Sequence, residues 1–455
     1  MPPSAEKGAG GELGLGTASL GPRLARAVGA LVTSTVTATG LGLVTLAVTA
    51  GALGPVDLGI LALIEAFGRT VERLVRLEPW HAVIRYGTIR LREGDSEGFR
   101  RIVKASTLFD IAGASLAAGI ALLLIWLAPG LVGGGEDHAL LAGAFALSLV
   151  LSLSATPTAI LRLYDRFGLL ARVTIYLAAI RLLLALLIAG WGLGLAGFVW
   201  LLVFQQAAAG LVPLALGWRE LRRRGLADVW RVPLTGVISQ SPGLLRFVVN
   251  SNLNVILRSL TQRIDVLLVG AVLGPGATGL YHLARRSTAA AMVVGRPIQQ
   301  AVYPETARLW AAGEAARFRS LHLRIDLATG VASVLALAVI LPYLDPIVAR
   351  LFGPDFLPAV PAIAVMGVAV ALFMGGVTLN PALLSMGRDR RLVGVTLCAT
   401  AAFFAALVPL MDRLGLLGAA WAHVVFNLVW LVGAWHGVLS GGPVRSAPSP
   451  TGAAD

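Results

Sequence analysis

Of the 455 residues, 57% are hydrophobic and 13% charged, about half of the roughly 25% charged content of a soluble globular chain. The formal net charge of +13 comes from 37 Lys and Arg against 24 Asp and Glu, and the basic residues alternate with apolar runs. That alternation excludes a soluble nucleic-acid-binding domain and is the pattern by which a membrane protein orients its loops.

Residues 1–25 are rich in Gly, Ser and Pro and lack the basic start, apolar centre and cleavage site of a signal peptide, so a disordered cytoplasmic leader is expected. Beyond it, apolar windows of about 20 residues, the length needed to cross a hydrocarbon core of about 30 Å, recur to the end of the chain. Twelve spans are expected, starting near residues 26, 56, 105, 138, 168, 195, 246, 276, 324, 358, 391 and 416, with the second the least hydrophobic. The fold class is an all-α polytopic membrane protein. Residues 441–455 have the loop composition of a short tail.

Loops after the even-numbered spans carry the cations, among them Arg85, Arg90, Arg92, Arg100, Arg101, Lys104, Arg162, Arg166, Arg172, Arg219, Arg222, Arg223, Arg224, Arg308, Arg317 and Arg388. The opposite loops contain Arg350 and Arg413 as their only cations, beside Glu136, Asp137, Asp345, Asp355 and Asp412. The first set is therefore expected to be cytoplasmic, together with both termini.

The run LGPVDLGILAL at 53–63 returns as LGPGATGLYHL at 273–283, an offset of 220. Further on, Pro157 and Asp165-Arg166 return as Pro381 and Asp389-Arg390, and LGLAGFVW from Leu193 returns as LGLLGAAW from Leu414. Three matches in one order indicate a duplication. Six spans per copy is an even number, so the copies are parallel repeats: an N-terminal six-helix lobe at 26–218, a basic cytoplasmic linker at 219–245 and a C-terminal lobe at 246–440. Transporters built this way usually carry their substrate path between the lobes.

Several chemistries find no motif. The only lysines, Lys7 and Lys104, sit in no Walker A loop, and there is no Asp-x-Asp, HExxH or CxxC. Gly192, Gly194 and Gly197 spell G-x-G-x-x-G, but between two spans and with no strand before them, so no dinucleotide site follows. The single cysteine, Cys398, lies in an apolar run, excludes an internal disulfide and is expected as a small core residue.

Ionisable residues inside spans cost about 2.5–3.5 kcal/mol each on insertion scales and mark functional faces. Span two holds Asp57, Glu65, Arg69, Glu72, Arg73 and Arg76, with Glu65–Arg69 and Glu72–Arg76 at i, i+4, a set able to neutralise itself. Span seven places Ser251, Asn254, Arg258 and Asp265 on one stripe, with Gln262 and Arg263 nearby, and span eight places Arg285, Thr288, Met292, Arg296 and Gln299 on another beside Arg286. Five cations there face one carboxylate, Asp265. A positive, water-accessible cavity suits an anionic ligand, and guanidinium forks match phosphate oxygens. The bland alternative is that these arginines pair with Asp265, Asp110 and backbone carbonyls, with Arg296 snorkelling to the cytoplasmic face.

With these residues in view, the sequence resembles the polysaccharide flippases of the multidrug/oligosaccharidyl-lipid/polysaccharide exporter superfamily, the O-antigen and exopolysaccharide translocases. The resemblance is carried by LGPVDLG at Leu53, AILRLYDRFG at Ala159, RIDVLLVGAVLGPGATGLYHLA at Arg263, AVYPETARL at Ala301, FGPDFLPAV at Phe352 and LLSMGRDR at Leu383. It implies translocation of an undecaprenyl-diphosphate-linked oligosaccharide across the bacterial inner membrane by alternating access, without a cofactor or catalysis, alongside other polysaccharide-assembly proteins. It further implies diphosphate contacts from Arg258, Arg285, Arg296, Arg69, Arg263 and Asn254, and an ion gradient for which Asp265 and Glu65 are the candidates. The rivals are a multidrug cation antiporter, which wants an acidic cavity, a lipid II flippase, and a membrane glycan polymerase.

Overall fold

The computed structural model describes residues 20–76, 80–132, 136–235 and 264–440, and these are largely helical with no strand among them. In chain order the helices are α1 (Leu20–Val75), α2 (Trp80–Arg92), α3 (Ser96–Leu127), α4 (Glu136–Ser148), α5 (Ala155–Leu163), α6 (Phe167–Gly190), α7 (Gly194–Arg223) and α8 (Ile264–Met292). They continue as α9 (Gly295–Ala311), α10 (Ala315–Ile340), α11 (Leu344–Leu351), α12 (Val360–Met374), α13 (Leu379–Ser385), α14 (Asp389–Leu414) and α15 (Leu416–Leu439).

Among the described residues, ten stretches of helix are long and apolar enough to cross a membrane, and two of them, Gly29–Val75 and Ile264–Ala311, run 47 and 48 residues. At about 1.5 Å per residue each would be about 70 Å long, more than twice the hydrocarbon core. Neither is a single rod. Gly54 (φ 69°, ψ 179°) and Gly274 (φ 82°, ψ 176°) break them in a region of backbone space that essentially only glycine reaches, and Pro55 and Pro275 start the next arm. Each long stretch is thus a pair of arms, which fits about twelve spans, as the apolar windows predict; of span seven, only 264–273 lies among the described residues.

The two Leu-Gly-Pro turns also meet. A Cβ on Gly59 would lie 1.8 Å from the carbonyl oxygen of Pro275, and one on Gly279 would lie 1.9 Å from that of Pro55. Both pairs of positions are 220 apart, so the contact is reciprocal: each arm lays bare backbone on the other's turn. Lipid tails are as apolar as side chains, so helices in a membrane gain most where small residues let backbones approach.

This crossing belongs to the first of two compact units, Met1–His282, the second being Leu283–Asp455. The first unit's core joins Ile64, Phe67, Phe145 and Phe198, and the second has a core around Phe318, Leu383 and Trp430. Part of the expected linker is ordered within the first unit. α7 runs on to Arg223, and residues 228–231 form a 3-10 turn that Lys104 fastens to α3, its Nζ donating to the Trp230 and Val232 carbonyls at 3.0 and 2.7 Å. Residues 236–263, with the rest of that linker and most of span seven, lie outside the described residues.

Three expectations need correction. Residues 85–92, expected in a loop, form most of α2, because arginine-rich sequence keeps good helix propensity beyond the lipid. For the same reason α3 and α10 begin at Ser96 and Ala315, ahead of the apolar windows at 105 and 324, and α3 is capped by Asp95 accepting from the Gly98 amide at 2.7 Å. Cys398 is exposed rather than buried: α14 buries the stripe Leu392, Ala399, Phe403, Leu407 and Met411, and Cys398 lies off it.

Candidate functional site

Arg69, Glu72 and Arg76 of the second arm of α1 form a continuous polar chain inside the first unit. Arg69 donates to Glu72 at 3.2 Å, and Arg76 donates to Glu72 and to Asp110 of α3, each at 3.2 Å. Arg69 also donates to Gln206 of α7, which in turn donates to Ser152. Exposures of 6% for Arg76 and 1% for Asp110 make this ion pair a buried one. Two guanidinium groups meet two carboxylates, so the chain is close to neutral, as the helical spacing predicts for Glu72–Arg76. Glu65 is half-buried one turn before Arg69 on the same arm.

Asp265 is fully buried in the first turn of α8, where it accepts from the Tyr281 hydroxyl at 2.9 Å. Tyr281 lies beyond the Gly274 break, so this bond ties together the two arms of the LGPxxxGxY segment. Arg285 is half-buried on α8, and Arg296, in the first turn of α9, is exposed. Arg258, Arg263 and Asn254 lie outside the described residues. The offset of 220 equates Glu65 with Arg285 and Arg76 with Arg296, so one acid of the first copy is a cation in the second.

A second duplicated device was not legible in the sequence. Span four is interrupted between Ser148 and Ala155, and span ten between Met374 and Leu379. In each case an aspartate from a neighbouring long helix caps the restart. Asp110 accepts from the Thr156 amide at 2.8 Å at the start of α5, and Asp326 of α10 accepts from the Thr378 amide at 2.9 Å at the start of α13. A carboxylate at a helix N-terminus satisfies an amide without an intrahelical partner and meets the positive end of the helix dipole. Asp326 and His322 carried a signal that sequence reading passed over, two ionisable residues in or beside an apolar run. Ser152 and Gln206, being neutral, gave none.

Residues 24–310, more than half of the chain, match the family described as "Polysaccharide biosynthesis protein". The chain belongs to that family. A relative, the inner membrane protein YghQ of Escherichia coli (strain K12), is 29% identical over 335 residues, covering 72% of this chain and 92% of its own. Among solved structures, an inward-facing multidrug resistance MATE family transporter of the MOP superfamily aligns at TM-score 0.63 and 18% identity, over 90% of this chain and 93% of its own. The lipid II flippase MurJ in an inward closed conformation aligns at TM-score 0.62 and 12% identity, over 90% and 87%. At those identities the likeness establishes the fold, and the family assignment rests on the sequence match.

Proposed function

We propose that this family member moves a lipid-diphosphate-linked oligosaccharide across the bacterial inner membrane by alternating access, as two parallel six-helix lobes at 26–218 and 246–440 with both termini cytoplasmic. The observation that carries the reading is an asymmetry of charge between the repeats. The second copy has Arg285 where the first has Glu65, and keeps a cation, Arg296, where the first has Arg76, so at these positions the second copy carries one acid fewer and one guanidinium more. Excess guanidinium in a wet site favours phosphate oxygens over organic cations, which sets this reading above a cation antiporter. Membership of a polysaccharide biosynthesis family and the name of the Escherichia coli relative support the substrate class and the membrane. The fold is also that of a lipid flippase.

In this reading Arg258, Arg285 and Arg296, with Arg69, Arg263 and Asn254 in support, hold the diphosphate while the isoprenoid tail stays in lipid. Asp265, two residues from Arg263, and Glu65, one helical turn before Arg69, are the first candidates for ion coupling. Arg258→Ala and Arg285→Ala are expected to abolish glycan export in a complemented export-deficient strain at unchanged membrane abundance. Arg→Lys should keep part of the activity, since charge survives and only the planar fork is lost. Full export by both alanine variants would end the proposal, and a matching fall in protein level would make these arginines structural. For orientation, reporter fusions after Asp455 and after Arg224 are expected to read as cytoplasmic and a fusion within 133–136 as periplasmic. A cytoplasmic signal from 133–136 overturns the topology.

A further inference from the structure

We infer that Asp326, in the second unit, is an exchange site for a small monovalent cation, a sodium ion or a proton. Asp326 is 1% exposed, one of its carboxylate oxygens accepts from the Thr378 amide, and the other, Oδ2, is buried without a hydrogen-bond partner. One turn earlier on α10, His322 is fully buried; its Nδ1 lies 2.6 Å from Thr378 Oγ1, and its Nε2 is likewise without a partner. Both side chains therefore converge on the first residue of the interruption's far end, each with one polar atom left over.

The first unit sets the comparison. Asp110 makes the same cap and has Arg76 at 3.2 Å as its counter-charge. The repeat-related cation, Arg296, is exposed and makes no ion pair among the described residues. Among the described residues, the groups around Asp326 supply no replacement. On α10, Arg319 donates to the Leu439 carbonyl and Arg324 is exposed; from α12, the Met374 carbonyl accepts from Thr329; α13 contributes Thr378; and on α15, His436 is engaged by Arg391. A charged buried carboxylate in a low-dielectric setting persists only with a positive partner, and none of the described residues supplies one to Asp326.

A route exists. Asp326 forms part of the wall of an open groove of about 430 Å³ between α10 and α15, otherwise apolar, with Leu323, Leu327, Gly375 and Trp435 in its lining. The remaining oxygen is too enclosed for an organic cation, which limits the occupant to an ion or a proton.

The binding is read on the purified full chain with no substrate present, so it stands or falls separately from the transport reading; only its use to drive transport rests on that reading. Tryptophan fluorescence is followed while sodium chloride replaces choline chloride at fixed pH, and again while pH is varied in sodium-free buffer. Trp435→Phe identifies the groove's share of the signal. A saturable change from Trp435, lost in Asp326→Asn, is expected; the sodium arm or the pH arm names the cation. Asparagine keeps the oxygen that accepts from Thr378. Should that variant fold poorly, Leu323→Lys places a tethered ammonium three residues away on the same helix face, and the response should again be lost. No response in either arm, or one undiminished in both variants, overturns the inference and leaves Asp326 as a permanently neutral helix cap.

Discussion

Gly59→Ala and Gly279→Ala are each expected to destabilise the protein by more than the roughly 1–3 kcal/mol typical of overpacking, because the added methyl meets backbone and no rotamer can relieve it. The obstacle is a carbonyl oxygen 1.8 Å away in one case and 1.9 Å in the other. Either substitution has to move a whole arm of α1 or α8. Once one methyl has parted the turns the second finds room, so the double variant should fall well short of the sum, as expected for neighbours that share one displacement. Gly51→Ala is the control: nothing lies within 4 Å of its Cβ position, and replacing an unneeded helix glycine is neutral or gains about 0.5–1 kcal/mol. Thermal unfolding in detergent measures all four proteins. If Gly59→Ala behaves like Gly51→Ala, the crossing of the turns does not hold the unit together.

Arg76→Ala should be nearly as damaging, and its rescue is the more informative result. Removing one partner from a buried ion pair costs about 3–5 kcal/mol, since the other charge stays behind without compensation. Here that charge is Asp110, 1% exposed and fixed to the Thr156 amide. Asp110→Asn in the Arg76→Ala background removes the stranded charge and keeps an oxygen for Thr156, while Arg69 still matches Glu72. Membrane abundance should therefore drop severalfold in the single variant and recover in the double one. A double variant no better than Arg76→Ala would mean that Arg76 acts through Glu72 or through substrate rather than through Asp110.

The asymmetry behind both the transport proposal and the cation site has one origin. Two copies of one six-helix plan share their glycine turns and their aspartate caps, but the second copy keeps the acid at 326 while its related arginine, Arg296, stands exposed. A duplicated scaffold preserves what folding needs, backbone turns and caps, and is free to diverge in charge elsewhere.

The sequence by itself determined the solvent, the number of spans and the repeat. Each follows from local quantities: the length of apolar windows, the charge between them and the recurrence of Leu-Gly-Pro at an offset of 220. It also fixed the self-neutralising set on α1, because i, i+4 spacing puts Glu72 beside Arg76 on any helix. Where polar sequence stays helical past the membrane, as in α2 and the first turns of α3 and α10, apolar windows misplaced the helix start, since hydropathy reports the lipid boundary and not the hydrogen-bond ladder. Only the tertiary structure decided which partners meet across helices. Arg76 finds Asp110 at a separation of 34 residues, Arg69 reaches Gln206 at 137, and Asp326 caps a helix at 52. No periodicity encodes those distances, because they depend on how neighbouring helices are rotated about their axes, and that rotation is set by the packing of small residues and interrupted helices rather than by any one segment.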